Sequence, residues 1–478
     1  MITHLQKRST PSSSSHIDPT SSSSKHHAKS NWKLEPFVDP MVLSSSLESS
    51  TLSPNDTHND DEAKLRLLTA KFQAIRSKDF GRLDEQSTVY LDYTGASLAP
   101  KQLVESHAKI LTTETLGNPH SDNTPSQAAT QYDQLARSKV LEFVNADPEE
   151  YMVVWTSNAS GALKLLGECY PFHRNNAYIH GPDCHNSVLG ITQFAGQKKA
   201  RTAGFGFLKK SLCYDWEDYK KCLKKLGRGR KAPGLVAFPG ESNTSGLKHN
   251  VSKYANQAHQ QGWDVCVDVA AYAPTTPIDV DDLGKPEFLA MSFYKIFGYP
   301  TGVGCLVVKR SAARKLNKPW FAGGTVAFVG ASNNKVIPFL HAEDDPSTFE
   351  DGTINFQNFA AVAQGIDYMM NVVGMQDLDA HVTHLANGFL HELRQLQWSN
   401  GAPLIYIPCI EEGADERQGH ALSMIFMGPD GKQILPEVIE KALLRHDIAV
   451  RVGCFCNPNS GFQMLQGTST PEQPLIAL

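Results

Sequence analysis

No stretch of this 478-residue sequence comes near the roughly 18 consecutive apolar residues that a membrane-spanning helix requires, and its first residues lack the apolar centre of a secretory signal. A membrane partner is therefore not expected. The nine cysteines show no paired spacing, which argues against a disulfide framework and for reduced thiols, as in a cytoplasmic protein. Cys454 and Cys456 stand too close together for the usual zinc pair and have no second pair to join, so no metal site is expected. Excess positive charge is lacking too. The formal net charge is -5, which speaks against a nucleic-acid partner, and the one basic run, residues 220–231, reads as a solvated helix face. No internal repeat is visible.

What remains is a globular composition, 41% hydrophobic, sufficient for one or two cores. Residues 1–61 are the exception. They are rich in Ser, Thr, His, Pro and Asn, bury too little to offset the entropy of ordering, and read as a disordered tail. The first 34 residues carry a single acid, Asp18, a composition that would also suit an organellar targeting peptide. No Arg-rich amphipathic helix accompanies it, which favours the tail.

Helical spacing of Leu65, Leu68, Phe72 and Ile75 predicts a helix over 62–78, followed by a short strand at 89–92 and a helix over 126–144. The pattern then changes to short apolar runs at 152–155, 177–180, 235–238, 264–267, 289–293 and 302–308, parted by polar segments that bear glycine. Runs this short, with helical stretches between some of them, predict buried strands of a mainly parallel sheet and so an α/β fold. Near Pro346 the rhythm changes again, and strand 421–426, helix 436–446 and strand 448–452 read as a βαβ unit of a smaller C-terminal domain.

Ligands of a parallel sheet gather outside the carboxyl ends of its strands, so the polar residues after each apolar run are the ones to inspect. TSNASGALKLLGE places Thr156 to Gly161 at a strand-to-helix turn that could close on an anion, although an ordinary N-capping turn looks the same. In DVCVDVAAY, Asp268 ends an otherwise apolar strand, where a carboxylate is costly without a cation or donors. In SFYKIFGYPTGVG, Lys295 follows another apolar run. A buried aspartate and lysine could be a structural ion pair. They could equally face one pocket from two strand ends, and pyridoxal phosphate needs that combination: an amine to form an imine and a carboxylate to keep the pyridine nitrogen protonated. In RVGCFCNPNSG one cysteine is a candidate loop nucleophile, against the alternative of an ordinary buried thiol.

With YLDYTGASLAP, GNPHS, HNSVLGI, SNTSG, FAGGTV, FEDGTINF and GCFCNP in the same order, the chain from about 90 to 453 resembles the cysteine desulfurase branch of the class V aminotransferases. Within that branch it is most similar to the N-terminal domain of eukaryotic molybdenum cofactor sulfurases. The resemblance implies a pyridoxal phosphate-dependent transferase of fold type I. A large domain over 62–345 would carry a mainly parallel seven-stranded sheet, and a smaller α+β domain would occupy 346–478. It further implies that Lys295 binds the cofactor aldehyde, Asp268 pairs with the pyridinium nitrogen, His185 stacks on the ring and Asn243 bonds the phenolic oxygen. Ala159, Ser160 and Ser292 would hold the phosphate, with Thr325 reaching it from the neighbouring subunit of a homodimer. Cys456 matches the attacking thiol, and Arg451 would serve the substrate carboxylate or the thiolate. By the family mechanism L-cysteine displaces Lys295, the freed lysine removes the α proton, and Cys456 takes the sulfur as a persulfide while alanine leaves. The acceptor would be molybdenum cofactor or a carrier protein.

Three departures qualify this. The family continues after the nucleophile as NPGAC, where this chain has Asn457, Pro458, Asn459, Ser460 and Gly461. Asn158 and Ser160 stand where Gly and Thr are usual. The small domain reads as cut short at Leu478, before the helix, the strand with a substrate-binding arginine and the molybdopterin-holding C-terminal domain that the sulfurases carry. Two alternatives follow: a pyridoxal phosphate lyase or transferase on another amino acid that does without Cys456, and an inactive scaffold.

Overall fold

The computed structural model describes residues 57–208, 211–228, 233–332, 335–407 and 416–466. Of the tail expected over 1–61, residues 1–56 lie outside the described residues, and the last five belong to the helix Thr57–Asp79, which starts earlier than its apolar spacing suggested.

The strands are β1 (Val89–Tyr90), β2 (Tyr151–Thr156), β3 (Ala177–His180), β4 (Arg201–Gly204), β5 (Gly234–Pro239), β6 (Leu247–Lys248), β7 (Asp264–Asp268), β8 (Phe288–Ser292) and β9 (Gly304–Lys309). Seven of them form the expected sheet in the order β2-β9-β8-β7-β5-β3-β4. Only β9 runs against its neighbours, β2 and β8. The inner parallel strands are mostly apolar because both faces are covered. Side chains alternate between two cores, as the pleat demands. Val236, Phe238, Val265, Val267, Leu289 and Met291 enter one, and Leu235, Ala237, Cys266, Phe288 and Ala290 enter the other.

Two details differ from the expected strands. β4 sits at the sheet edge with alternating exposure, and its Arg201 and Thr202 give it no apolar run to recognise. Phe293, expected to end a strand, instead opens the helix Phe293–Phe297, so the sheet stops one residue sooner and the chain turns at Ser292.

The helix Phe359–Asp367 lies beyond Pro346 yet packs into the sheet-side core beside Leu103 and Val140. After the helix Met375–Gln395 the elements shorten. Ile425–Phe426 pairs antiparallel with Ile405–Tyr406, while Ile448–Ala449 pairs parallel with β1, on either side of the helix Pro436–Leu444. The expected βαβ unit is thus corrected, because its two strands join different partners. Strand 421–426 is shortened because its first residues are tied to the 244–246 turn: Gln418 Nε2 donates to both Ala421 O at 2.8 Å and Ser245 O at 3.0 Å, and the Ser423 hydroxyl donates to Thr244 O. Among the described residues no helix is long and apolar enough to cross a membrane.

Candidate functional site

Parallel pairing puts the ends of β3, β5, β7 and β8 at one edge of the sheet. β8 turns directly into the helix Phe293–Phe297, which Gly298 ends at φ 75°, where a side chain would strike the backbone of Leu98 and Ala99 at 2.3 Å. Lys295 rides on this turn, and its carbonyl accepts from Ser97 Oγ at 2.6 Å. Its amine forms no ion pair or hydrogen bond among the described residues. Burial pushes the amine below the ordinary lysine range, against the opposing charge of Asp268, and Arg451 adds to the lowering. Such an amine is more often in its neutral, nucleophilic form.

Asp268 ends β7, buried, with Oδ1 accepting the Ala270 N–H at 3.0 Å. The structural ion pair considered for Asp268 and Lys295 is not formed; the carboxylate instead acts at a distance on both Lys295 and His185. His185 caps the short helix Asn186–Leu189, and its Nδ1 accepts the Ser187 N–H at 3.1 Å, which assigns the ring proton to Nε2. Burial holds this imidazole below its usual range, so it is neutral at physiological pH. Ser187 Oγ lies 3.0 Å from His185 Nδ1 and 2.6 Å from Ser160 Oγ. Close by, the Ala159 N–H donates to Ser292 Oγ at 2.7 Å, and Asn158 caps the helix Ala159–Cys169 by accepting the Gly161 N–H at 2.9 Å. Three hydroxyls and a helix N-terminus are the donors an oxyanion needs. Amine, carboxylate, flat neutral ring and hydroxyl cluster together fit a phosphorylated pyridine aldehyde.

The loop bearing Cys456 comes from the other end of the chain and is tied to the same place. Asn243 Nδ2 donates to Phe455 O at 2.6 Å, and the Asn186 N–H donates to Cys456 O at 2.7 Å. Asn243, expected on a phenolic oxygen, is therefore engaged with the loop in this structure. Arg451 grips Asp92 with two bonds of 2.9 Å, from Nε and Nη2, so that half of its fork is committed. Lys295, His185, Asn243, Arg451 and the exposed Cys456 all line one cavity of about 2790 Å³. Asp268, Ala159, Ser160, Ser292 and Thr325 are not among its lining residues; Thr325 is fully buried, and its hydroxyl accepts the Ala322 N–H at 2.8 Å within its own turn.

Sequence reasoning missed Ser187, Asp92, Asp183, Asn457 and Ser460. Ser187 and Asp92 stood inside recognised motifs, two residues after His185 and in LDYTG. The carboxylate of Asp183 beside His185 carried the same burial signal as Asp268, at the end of the apolar run 177–180.

The Aminotransferase class-V family model matches residues 89–468. Molybdenum cofactor sulfurase from Solanum lycopersicum is 33% identical over 414 residues, 81% of this chain and 49% of that protein. The Homo sapiens molybdenum cofactor sulfurase is 30% identical over 401 residues, 80% of this chain and 44% of that protein. The chain thus spans about half the length of these curated relatives. Among solved structures, the apo cysteine desulfurase from Thermococcus onnurineus NA1 superposes with a TM-score of 0.65 at 24% identity, covering 83% of this chain and 90% of that one. The Escherichia coli cysteine desulfurase CsdA gives 0.65 at 21%, covering 83% and 91%. These likenesses establish the fold, type I of the pyridoxal phosphate enzymes. The family match over residues 89–468, most of the chain, shows that the chain belongs to the class V aminotransferase family.

Proposed function

We propose that this chain is a pyridoxal 5'-phosphate-dependent, cysteine desulfurase-like enzyme that moves sulfur from L-cysteine through a persulfide on Cys456 to an acceptor and releases alanine. The observation that carries this reading is the convergence on one cavity of a half-buried amine, Lys295, unpaired among the described residues, and an exposed thiol, Cys456, far apart in the sequence. The names of the sulfurase and desulfurase relatives support it.

Pyridoxal phosphate, when bound, supplies an electron-withdrawing ring that stabilises negative charge at the substrate α carbon. Lys295 would hold its aldehyde, Asp268 would keep its nitrogen protonated, and His185 would cover one face. Ala159, Ser160 and Ser292 would turn their hydroxyls and N–H groups to its phosphate, and Asn243 would reach its phenolic oxygen. Thr325 is assigned to a neighbouring subunit's phosphate site in a homodimer. Once free, the Lys295 amine takes the substrate α proton. Cys456 attacks as thiolate on the substrate sulfur: the carbon–sulfur bond breaks, a sulfur–sulfur bond forms, and the carbon takes up a proton to leave as alanine. Arg451, through the half of its guanidinium not bound to Asp92, would orient the substrate carboxylate. The persulfide then passes to molybdenum cofactor or a carrier protein, in the cytoplasm. In this reading 62–345 binds the cofactor and 346–478 brings the thiol.

Incubation of the loaded protein with L-cysteine and a reductant should yield alanine and sulfide in equal amounts. Lys295→Ala should abolish the visible absorbance of the bound cofactor, and Cys456→Ser should stop sulfide release while leaving that absorbance. A colourless wild-type protein would instead indicate a scaffold, and normal turnover by Cys456→Ser would indicate chemistry on another amino acid.

A further inference from the structure

We infer that Asp183 is a positioning residue that holds the Cys456 loop against the cavity, an inference that rests on Cys456 being the attacking thiol. Asp183 lies in the loop after β3, two residues before His185, and is sealed from solvent. Four side chains donate to its carboxylate. Oδ1 receives Ser242 Oγ at 2.8 Å, Asn457 Nδ2 at 2.6 Å and the Ser460 hydroxyl; Oδ2 receives His249 Nε2 at 3.2 Å. Asn457 and Ser460 belong to the segment that follows Cys456, and Ser242 precedes Asn243. One carboxylate therefore joins the loops that carry His185, Asn243 and Cys456.

The Cys456 loop needs such a hold. Phe455 and Cys456 both adopt left-handed backbone, at φ 52° and 57°, which costs about 1–3 kcal/mol per residue and persists only where the surroundings impose it. Apolar packing does not impose it, since Cys456 is exposed and Phe455 only half-buried. What remains is hydrogen bonding, and bonds to an ionised carboxylate are the strong kind. Burial would raise the Asp183 carboxyl, but His249 and the hydroxyl and amide donors outweigh it and keep it ionised.

Asp183→Asn keeps the shape and removes the charge, so that Asn457 and Ser460 bond a neutral amide in place of a carboxylate while an NH2 faces His249. In the pyridoxal phosphate-loaded protein, hydrogen–deuterium exchange over the peptide containing Cys456 should rise at least about tenfold, since charged hydrogen bonds of this kind are each worth more than a neutral one. Single-turnover release of alanine from L-cysteine should fall about 10²-fold, the cost of displacing a reacting group by about 1 Å, while KM changes less than about twofold. Unchanged exchange, or a loss confined to KM, overturns the inference. Ser460→Ala guards against a folding failure of the first variant: loss of one bond should give the same pattern at about five- to tenfold, and wild-type behaviour in both readouts would overturn the inference as well. Cys456→Ser measured in parallel separates the two levels. If it still releases alanine at the normal rate, the nucleophile reading falls and the positioning role with it, whereas the exchange result reports the hold on the loop independently of any reaction.

Discussion

In the sheet, Phe238 and Val267 on one face and Ala237 and Cys266 on the other are sealed from solvent, whereas the helix Pro436–Leu444 buries no side chain and leaves Leu444 69% exposed. The same contrast runs through the site. The amine of Lys295 is fixed by a strand end and an immediate helical turn set into the core, and Asp268 by the last pair of a parallel ladder. Cys456 stands exposed on a loop; in the segment that follows, Phe462 is half open to the cavity while Met464 packs with Leu212 and Leu247. The place of the loop is set by hydrogen bonds from Asn186, Asn243 and the Asp183 cluster. The difference suits the chemistry. In the function proposed above, an amine that must return to the same atom of the cofactor in every turnover belongs on rigid scaffold, and a thiol that must meet the substrate and then an acceptor belongs on a segment that polar bonds can hold and release.

This contrast can be broken or sharpened in order of expected effect. Phe238→Ala removes a ring from the sealed core and should lower stability by about 3–5 kcal/mol in chemical denaturation; a loss under about 1 kcal/mol would show that the sheet is not the rigid half. Asp268→Asn should leave the fold intact and lower kcat about 10²- to 10³-fold, the scale of losing one preorganised charge contact in a transition state. Little change in kcat would remove Asp268 from the site. Arg451→Ala acts across the two halves. Burial is the main cause that lowers Lys295, Asp268 opposes it, and Arg451 adds to the lowering. Deleting the guanidinium therefore raises the pKa of the amine, so that capture of pyridoxal phosphate by cofactor-free protein, which needs the neutral amine, should shift to higher pH. A shift to lower pH would mean that Arg451 does not act on Lys295. Val438→Ala, on the exposed helix Pro436–Leu444, should change stability by less than about 0.5 kcal/mol, and a cost above about 2 kcal/mol would show this helix to be buried in solution.

The rigid half was also the half most legible in the sequence. Buried parallel strands must be apolar along their whole length, so runs such as 177–180 and 235–238 marked their own positions to within a residue or two. The polar residues that closed those runs, Asp268 and Lys295, were visible because burial makes them costly. The edge strand β4, with one polar face, left no such mark. Toward the C-terminus, short strands such as Ile425–Phe426 and Ile448–Ala449 chose partners outside their own unit, β1 among them, and apolar spacing says nothing about which partner a strand will take. The holds on the Cys456 loop were hidden for the same reason: Asp183 and Ser460 are 277 residues apart, and nothing in either segment names the other. The half of Arg451 spent on Asp92 was equally invisible, since a guanidinium near a thiol suggests a substrate contact until its neighbour is known.

The most direct test loads the protein with pyridoxal phosphate, adds one equivalent of L-cysteine without reductant, and maps the cysteine-containing peptides by mass spectrometry. The account predicts one added sulfur atom on the peptide bearing Cys456, in step with one alanine released, and no such addition in Lys295→Ala. Alanine released with the sulfur on another cysteine, or with none retained on the chain, would contradict it.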